Sequence, residues 1–314
     1  SVLSTLTLLI SIKTSHNSLT STIPSILSAL EFLQVLDVSS NTLVGTIPAE
    51  FIAFKSVTDF DVGSNSLTGT VPTFLGALST LQYLDISENS FVGTVPTGFG
   101  TLSVLGSLSV ASNALTGGVS DWCVGLTALY SFNISQNSFY TTIPDSIFLS
   151  LGMLSVDLSS NKLYGSVSTA LVTLVDLSVF DVSTNLLTGV LPSTGLNLLT
   201  NMEIFSVGGN KFVSTIPTQL YSLTKMKVLI IGPNQLTGTL SNGLDAMSGL
   251  LTLDTGGNNL NGLMPTTLEK INLLTFVDLS SNTFTGPIPI NIFTTLVGLK
   301  TCDLSSNALS GTIA

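Results

Sequence analysis

The stretch LDVSSNTLVGTIP, from Leu36 to Pro48, recurs along this chain with small changes. LDISENSFVGTVP begins at Leu84, FDVSTNLLTGVLP at Phe180 and VDLSSNTFTGPIP at Val277. These stretches contain no evident catalytic group, so their repetition says more about the architecture of the protein than about its function. A short unit that recurs at a fixed period predicts an array of stacked structural repeats.

The copies align on their central asparagine and define thirteen units in the 314 residues. The period is 24 residues, except for 25 before Asn210 and Asn307. Leu or Phe follows the asparagine by two positions, glycine by four in ten units, and proline by seven in nine. Since no linker or change of composition interrupts the series, we predict a single domain over residues 1–314. The asparagines are Asn17, Asn41, Asn65, Asn89, Asn113, Asn137, Asn161, Asn185, Asn210, Asn234, Asn258, Asn282 and Asn307.

Apolar and polar residues alternate before each asparagine, as in a strand with one buried face. Stacked units bring such strands into a parallel sheet at ~4.8 Å per unit, and one unit alone cannot bury its apolar side. The chain then turns inward, so we expect each asparagine to pair with buried amides, carbonyls and the asparagine of the next coil. Glycine permits a tight turn, and Ile-Pro sets an extended segment.

The pattern LxxLxLxxNxLxGxIP resembles the leucine-rich repeat family. Its L-T-G-x-I-P half resembles the plant-type subclass of receptor-kinase ectodomains and polygalacturonase inhibitors, and its charge-poor, Ser/Thr-rich composition is similar to protist surface proteins. The resemblance implies an α/β-type repeat solenoid, mostly β: a superhelix of about 13 coils with a concave parallel sheet. In plant-type relatives the Ile-Pro segment forms a second, convex sheet.

Plant-type relatives usually close their ends with cysteine-paired caps, and this sequence has no counterpart of them. We therefore expect uncapped ends, as in a segment of a longer chain or in an assembly. End-stacking through exposed core residues is the corresponding hypothesis. The candidate end-stacking residues are Leu3, Leu6, Leu9, Leu304, Leu309 and Ile313.

The composition excludes several classes of function. Charged residues make up only 8% of the chain, the formal net charge is −10, and there is no arginine. Nucleic-acid binding needs clustered basic residues, so we predict none. No apolar run approaches the ~18 residues of a spanning helix, so we predict no transmembrane segment in this stretch. The apolar start SVLSTLTLLISI fits the repeat spacing and is interpreted as repeat structure rather than a signal peptide.

The two cysteines are predicted to be free. Cys302 occupies a strand core position, and Cys123 falls where sister units carry Phe or Leu. They lie between seven and eight units apart, about 36 Å at sheet spacing, whereas a disulfide needs Cα atoms within ~7 Å. We expect two buried thiols that act as small core residues.

The row of residues four positions before the asparagines is rich in aspartate, with eight members. We expect these carboxylates to pair with neighbouring serine hydroxyls. Calcium binding near Asp61, Asp85 and Glu88 is the alternative, but we predict no metal site and no cofactor. The eight are Asp37, Asp61, Asp85, Asp157, Asp181, Asp254, Asp278 and Asp303.

Two groups of residues are candidates for partner contact. From Ile204 to Gly257 the strands change character, because glycine replaces serine in three adjacent units and Ile230 replaces aspartate. This predicts an apolar floor on the concave face, although drift among small tolerated residues explains the pattern too. Tyr140 and Tyr164 occupy equivalent positions in adjacent units, near Trp122. Their rings either contact a sugar or protein partner or pack against the flank of the solenoid. The candidate contact residues are Ile204, Gly208, Val228, Ile230, Gly232, Pro233, Gly256, Tyr140 and Tyr164.

The remaining motifs carry little chemistry. Asn133-Ile134-Ser135 is a glycosylation sequon, so Asn133 is a glycosylation candidate. The single histidine, His16, belongs to no recognisable catalytic arrangement, and no residue qualifies as catalytic.

These observations predict a non-enzymatic recognition or adhesion module, extracellular or at the cell surface. It would bind a protein or a glycan on its concave face. The alternative is a structural subunit whose copies stack end to end into a fibre or surface coat.

Overall fold

The repeat unit folds as one coil that begins with a short strand. The computed structural model describes residue 6 and residues 8–313. In the strand Val35–Asp37 the central Leu36 is fully buried and its two neighbours are half-buried. Leu36 aligns in parallel with Phe60 of the next coil, which is also fully buried. Each coil therefore adds one apolar side chain to a continuous core beneath a parallel sheet, here called the main sheet.

The chain divides into two compact units, Ser1–Lys162 and Leu163–Ala314, and the single-domain interpretation stays a prediction. The main-sheet strands of the first unit are Ser11–Lys13, Val35–Asp37, Asp59–Asp61, Tyr83–Asp85, Ser107–Ser109, Ser131–Asn133 and Ser155–Asp157. Those of the second unit are Val179–Asp181, Ile204–Ser206, Val228–Ile230, Thr252–Asp254, Phe276–Asp278 and Thr301–Asp303. The predicted mostly β repeat solenoid is confirmed.

A second set of parallel sheets follows the asparagines. In the first unit its strands are Val44–Gly45, Ser66–Thr70, Ser90–Thr94, Ala114–Gly117 and Ser138–Phe139. In the second unit one sheet contains Tyr164–Gly165, Leu186–Gly189 and Lys211–Phe212, and another contains Thr237–Thr239, Asn259–Leu263, Thr283–Gly286 and Ala308–Leu309. The expectation that Ile-Pro forms this sheet was wrong. The strands end before the proline, which cannot donate to a ladder hydrogen bond and instead precedes a short helix.

These short helices are mostly 3₁₀ turns. Pro48, for example, has extended backbone angles at the N-cap of Ala49–Ala53. The 3₁₀ helices are Ser25–Ala29, Ala49–Ala53, Thr73–Ala77, Thr97–Thr101, Asp145–Leu149, Thr169–Thr173, Leu196–Leu198, Thr218–Ser222, Asn242–Ala246 and Thr266–Lys270, and the α-helices are Ser120–Cys123 and Ile292–Thr295. Within the described residues, the structure contains no helix of sufficient length and apolarity for a membrane span.

The asparagines bind each coil to the one before it. The Nδ2 of Asn113 donates to the carbonyls of Val110 and Ala111 in its own coil, and to Ile86 O of the preceding coil at 3.1 Å. Its Oδ1 accepts from the backbone N–H of Phe91 in that coil, at 2.9 Å. The expected bond to the next coil's asparagine side chain is thus replaced by bonds to backbone groups of the preceding coil. The other expected contacts of the asparagine, with backbone amides and carbonyls, are present.

The core also accounts for the tryptophan and one cysteine. Trp122 is 1% exposed, packs against Phe99, Phe132 and Phe139, and donates from Nε1 to Gly118 O at 2.9 Å. It therefore offers no contact surface. Both cysteines are free, and Cys123 is buried as expected. Cys302 is only partly buried, so the expectation of a second fully buried thiol was wrong.

Candidate ligand-binding face

The exposed side of the main sheet carries the row of aspartates. Asp37, Asp61 and Asp85 lie in register on adjacent strands of the first unit. The Asp37 carboxylate accepts hydrogen bonds from Ser39 Oγ at 2.7 Å and from Ser15 Oγ at 2.8 Å. Burial acts to raise the pKa of this carboxyl, but the two hydroxyls, the Ser39 N–H and the charge of Lys13 together hold the pKa below its usual value. The predicted pairing with serine therefore occurs here.

Two aspartates lack such a hydroxyl in their own coil, because glycine stands two residues later. Gly63 and Gly256 offer Asp61 and Asp254 only a backbone N–H, at 2.9 and 3.0 Å. Burial, together with neighbouring aspartates, raises the pKa of each carboxyl to about 6. Sequence reasoning missed this pair, although glycine in the serine position is the signal that marks it.

Acidic side chains of this face also accept hydrogen bonds from neighbouring hydroxyls. No cluster of His, Cys, Asp or Glu within residues 6 and 8–313 is arranged to hold a metal ion. Glu88 instead accepts a hydrogen bond from Ser64 Oγ at 2.6 Å. The Asp85 carboxylate accepts one from the Tyr83 hydroxyl at 3.3 Å. The row therefore presents carboxylates that are held by hydrogen bonds.

Part of the predicted apolar floor is present in the second unit. Ile204 lies opposite Val228 on the adjacent strand, and Ser206 lies opposite Ile230. Ile204, Val228 and Ile230 are half-buried, so each still exposes apolar surface to a partner. These three side chains are here called the apolar floor. Of these, Ile230 stands in the row of aspartates, where it and Ser206 separate Asp181 from Asp254.

The glycines beside the floor have a packing role that the sequence did not reveal. Gly208, Gly232 and Gly256 are buried. A Cβ on Gly208 would come within 2.2 Å of Gly232 O, and one on Gly232 within 2.0 Å of Gly256 O. They allow adjacent coils to approach closely and offer a partner little surface. Pro233, in contrast, is exposed and follows a cis peptide bond.

The other candidate residues remain apart from the floor. Tyr140 and Tyr164 are exposed and belong to different units. Asn133 is half-buried in a main-sheet strand, and its Oδ1 accepts from Ser135 Oγ at 2.7 Å. Glycosylation at Asn133 stays a prediction.

The end-stacking hypothesis also remains untested. Of its candidates, Leu6 and Ile313 are exposed. Leu9, Leu304 and Leu309 are half-buried, and Leu3 lies outside the described residues.

Comparison with known proteins agrees with this geometry. Residues 32–54 and 80–102 match the family model described as Leucine Rich Repeat. The chain is also similar to the crystal structure of the LRR ectodomain of the plant membrane receptor kinase GASSHO1/SCHENGEN3 from Arabidopsis thaliana, in complex with CASPARIAN STRIP INTEGRITY FACTOR 2. The identity is 29% over 99% of this chain and 37% of that chain, with a TM-score of 0.93. The chain thus contains leucine-rich repeats and is similar to plant leucine-rich repeat receptor ectodomains.

Two further structures resemble this leucine-rich repeat protein. The Arabidopsis receptor kinase HAESA, in complex with the peptide hormone IDA and the co-receptor SERK1, is 26% identical over 99% of this chain and 60% of that chain, with a TM-score of 0.66. An LRR protein of Leptospira interrogans is 25% identical over 98% and 75%, with a TM-score of 0.75. The chain thus spans less than two thirds of either Arabidopsis receptor chain. No curated protein sequence matches it.

Proposed function

We propose that this leucine-rich repeat protein is an extracellular, non-enzymatic module that binds a peptide or protein ligand on its main sheet. Two similar structures are receptor ectodomains or receptors in complex with a named factor or peptide hormone. That similarity supports a ligand-binding role and a location outside the cell.

The observation that carries the proposal is the apolar floor. Ser206 and Ile230 stand in a row that carries aspartates in the flanking coils, and Ile204 and Val228 add apolar surface two residues earlier in the same strands. Apolar side chains that remain partly exposed on a flat face gain free energy when a partner covers them. The flanking aspartates add charge that orients a partner with basic groups at its ends. The apolar floor therefore contributes binding free energy, and the aspartates fix the position of the ligand along the sheet.

Glycan binding and end-to-end stacking were the other sequence-based hypotheses. Neither is supported by an observation in the described part of the chain. Peptide or protein recognition is the function that the main-sheet geometry favours.

The test is selection of binders from a displayed peptide library on the immobilised wild-type protein. Ile230→Asp should weaken the selected binders at least ~10-fold, because it buries a new carboxylate under the ligand. Asp254 and Asp278 occupy the same position of later coils, so aspartate is compatible with the fold there. Val92→Asp, at an exposed position of the second sheet, is the matched control and should bind normally. Binders insensitive to Ile230→Asp would contradict the proposal.

A further inference from the structure

A groove lies in the second unit where its second sheet is interrupted. One sheet ends with Lys211–Phe212 and the next begins with Thr237–Thr239. The two coils remain joined by backbone hydrogen bonds from Gln235 N–H to Phe212 O at 2.9 Å and from Thr237 N–H to Ser214 O at 2.7 Å, and by the isolated bridge Thr215↔Thr237. Beside this break lies a cavity of about 750 Å³, which shares Leu263, Met264 and Thr266 with a neighbouring cavity of about 460 Å³. The two cavities together are here called the groove.

A serine occupies the turn at this boundary. Ser214 stands where ten coils have glycine, and its φ of 77° lies in the same left-handed region as that of the glycines. Ser21 makes the same substitution in another coil with φ 76°. There too an isolated bridge, Thr22↔Val44, joins the coil to the next one, and a cavity of about 610 Å³ lies beside it. Both coils with serine at this position therefore border a cavity.

The groove is uncharged and elongated. Neither cavity is lined by a charged side chain. Thr215, Thr239, Leu263, Pro287 and Thr312 occupy equivalent positions of successive coils along it. Four coil spacings at ~4.8 Å give a length of about 19 Å. An extended peptide of about six residues has this length.

One buried hydroxyl in the groove makes a single, long hydrogen bond. Tyr221 is 6% exposed and lines the larger cavity. Its hydroxyl oxygen accepts a hydrogen bond from the Ser241 N–H at 3.5 Å, the outer limit of such a bond. Within the described residues its own proton has no acceptor. Burial raises the pKa of Tyr221 to about 12, so the hydroxyl stays a donor. Buried donors normally find an acceptor.

We propose that this groove binds an uncharged, largely apolar peptide segment in an extended conformation, with one peptide carbonyl accepting a hydrogen bond from the Tyr221 hydroxyl. Leu263 and Ile290, 64% and 71% exposed, form apolar edges for its side chains. A charged segment would lose hydration without gaining a counter-charge. An acyl chain would leave the Tyr221 proton unpaired. A sugar ring would lack an exposed aromatic face, because the Tyr221 ring is buried. The site is separate from the main sheet, so it does not rest on the function proposed above.

Methionine-methyl NMR of the full chain tests the proposal. The probes are acetylated, amidated hexapeptides of leucine, isoleucine, proline and threonine, with lysine-containing versions as controls. A saturable shift of the Met264 methyl, with a Kd below about 1 mM, is expected from the uncharged peptides. Met202 and Met226, fully buried and not among the groove residues, should not respond. Absence of that shift, or equal binding of the lysine peptides, would refute the proposal.

Variants then locate the site. Leu263→Lys should weaken binding at least ~10-fold. Leu273→Lys, at a position 53% exposed and outside the groove lining, should leave binding unchanged. Tyr221→Phe should weaken it about 3- to 10-fold through loss of the hydrogen bond. Binding that survives Leu263→Lys, or a Met264 shift from neutral oligosaccharides instead, would overturn the proposal. Ile230→Asp should have no effect, which distinguishes this site from the main sheet.

Discussion

Replacing Thr255 by valine should stabilise the second unit. Thr255 is 0% exposed, and its Oγ1 has no hydrogen-bond partner. It stands three residues before Asn258, where neighbouring coils carry Val207, Ile231 and Leu279. Valine has nearly the same shape without the hydroxyl, so no cavity is created. A buried, unpaired hydroxyl costs about 1–3 kcal/mol, and we expect a gain of about 1 kcal/mol or more in the free energy of unfolding.

Urea unfolding followed by circular dichroism measures this gain. The midpoint should rise in Thr255→Val while the slope stays unchanged. Thr283→Val is the control with the opposite sign, because the Thr283 hydroxyl donates to Leu260 O at 2.8 Å. That variant should lose about 0.5–1.5 kcal/mol. An unchanged or lowered midpoint in Thr255→Val would show that the hydroxyl is satisfied in solution and that the reasoning is wrong.

Three further outcomes are expected. Asn113→Ala should cost about 3 kcal/mol or more, measured by urea unfolding, because it leaves buried carbonyls and one N–H without partners. The folded state holds the Asp254 proton more tightly than the unfolded state, since burial raises the pKa from 3.8 to about 6. This group's contribution to stability is therefore full below pH 3.8 and is lost as the pH rises to about 6, and Asp254→Asn should remove that loss in urea midpoints compared at about pH 4 and about pH 7. Cys302 should react with a thiol reagent faster than buried Cys123, as measured by mass spectrometry of the native protein.

Each of these expectations has a clear contrary result. A small effect of Asn113→Ala would mean that water replaces the side chain in the turn. An identical pH dependence of Asp254→Asn and wild type would mean that the carboxyl is not buried in solution. Equal labelling of the two cysteines would mean that the coil around Cys123 opens as readily as the one around Cys302.

The repeat made most of the fold predictable. Leu36 and Phe60 had to point inward because every coil repeats the same alternation, and stacking follows from thirteen copies of one apolar face. The Ile-Pro segment was wrongly assigned to the second sheet. The fixed φ of proline is compatible with an extended strand, but also with the residue that precedes a 3₁₀ helix. The burial of Cys302 was overestimated because its coil resembles the others in sequence, while its exposure depends on neighbours.

The site was less predictable because it depends on departures from the repeat. Ile230 stood out, since an apolar residue replaced an aspartate. Gly208 and Gly232 were interpreted as surface, whereas only the distances between coils show that they allow close backbone approach. The groove went unnoticed because the residues that line it, such as Thr215 and Leu263, fit the ordinary repeat pattern. The space between them appears only in the packing of successive coils.

The direction of the asparagine bonds has a consequence for protein synthesis. Asn113 satisfies backbone groups of the coil that precedes it, so that coil lacks these bonds until Asn113 has been made. During translation the newest coil always waits for the next 24 residues to supply its missing partners. Each coil therefore completes these hydrogen bonds only after the following coil has left the ribosome, whatever the length already made.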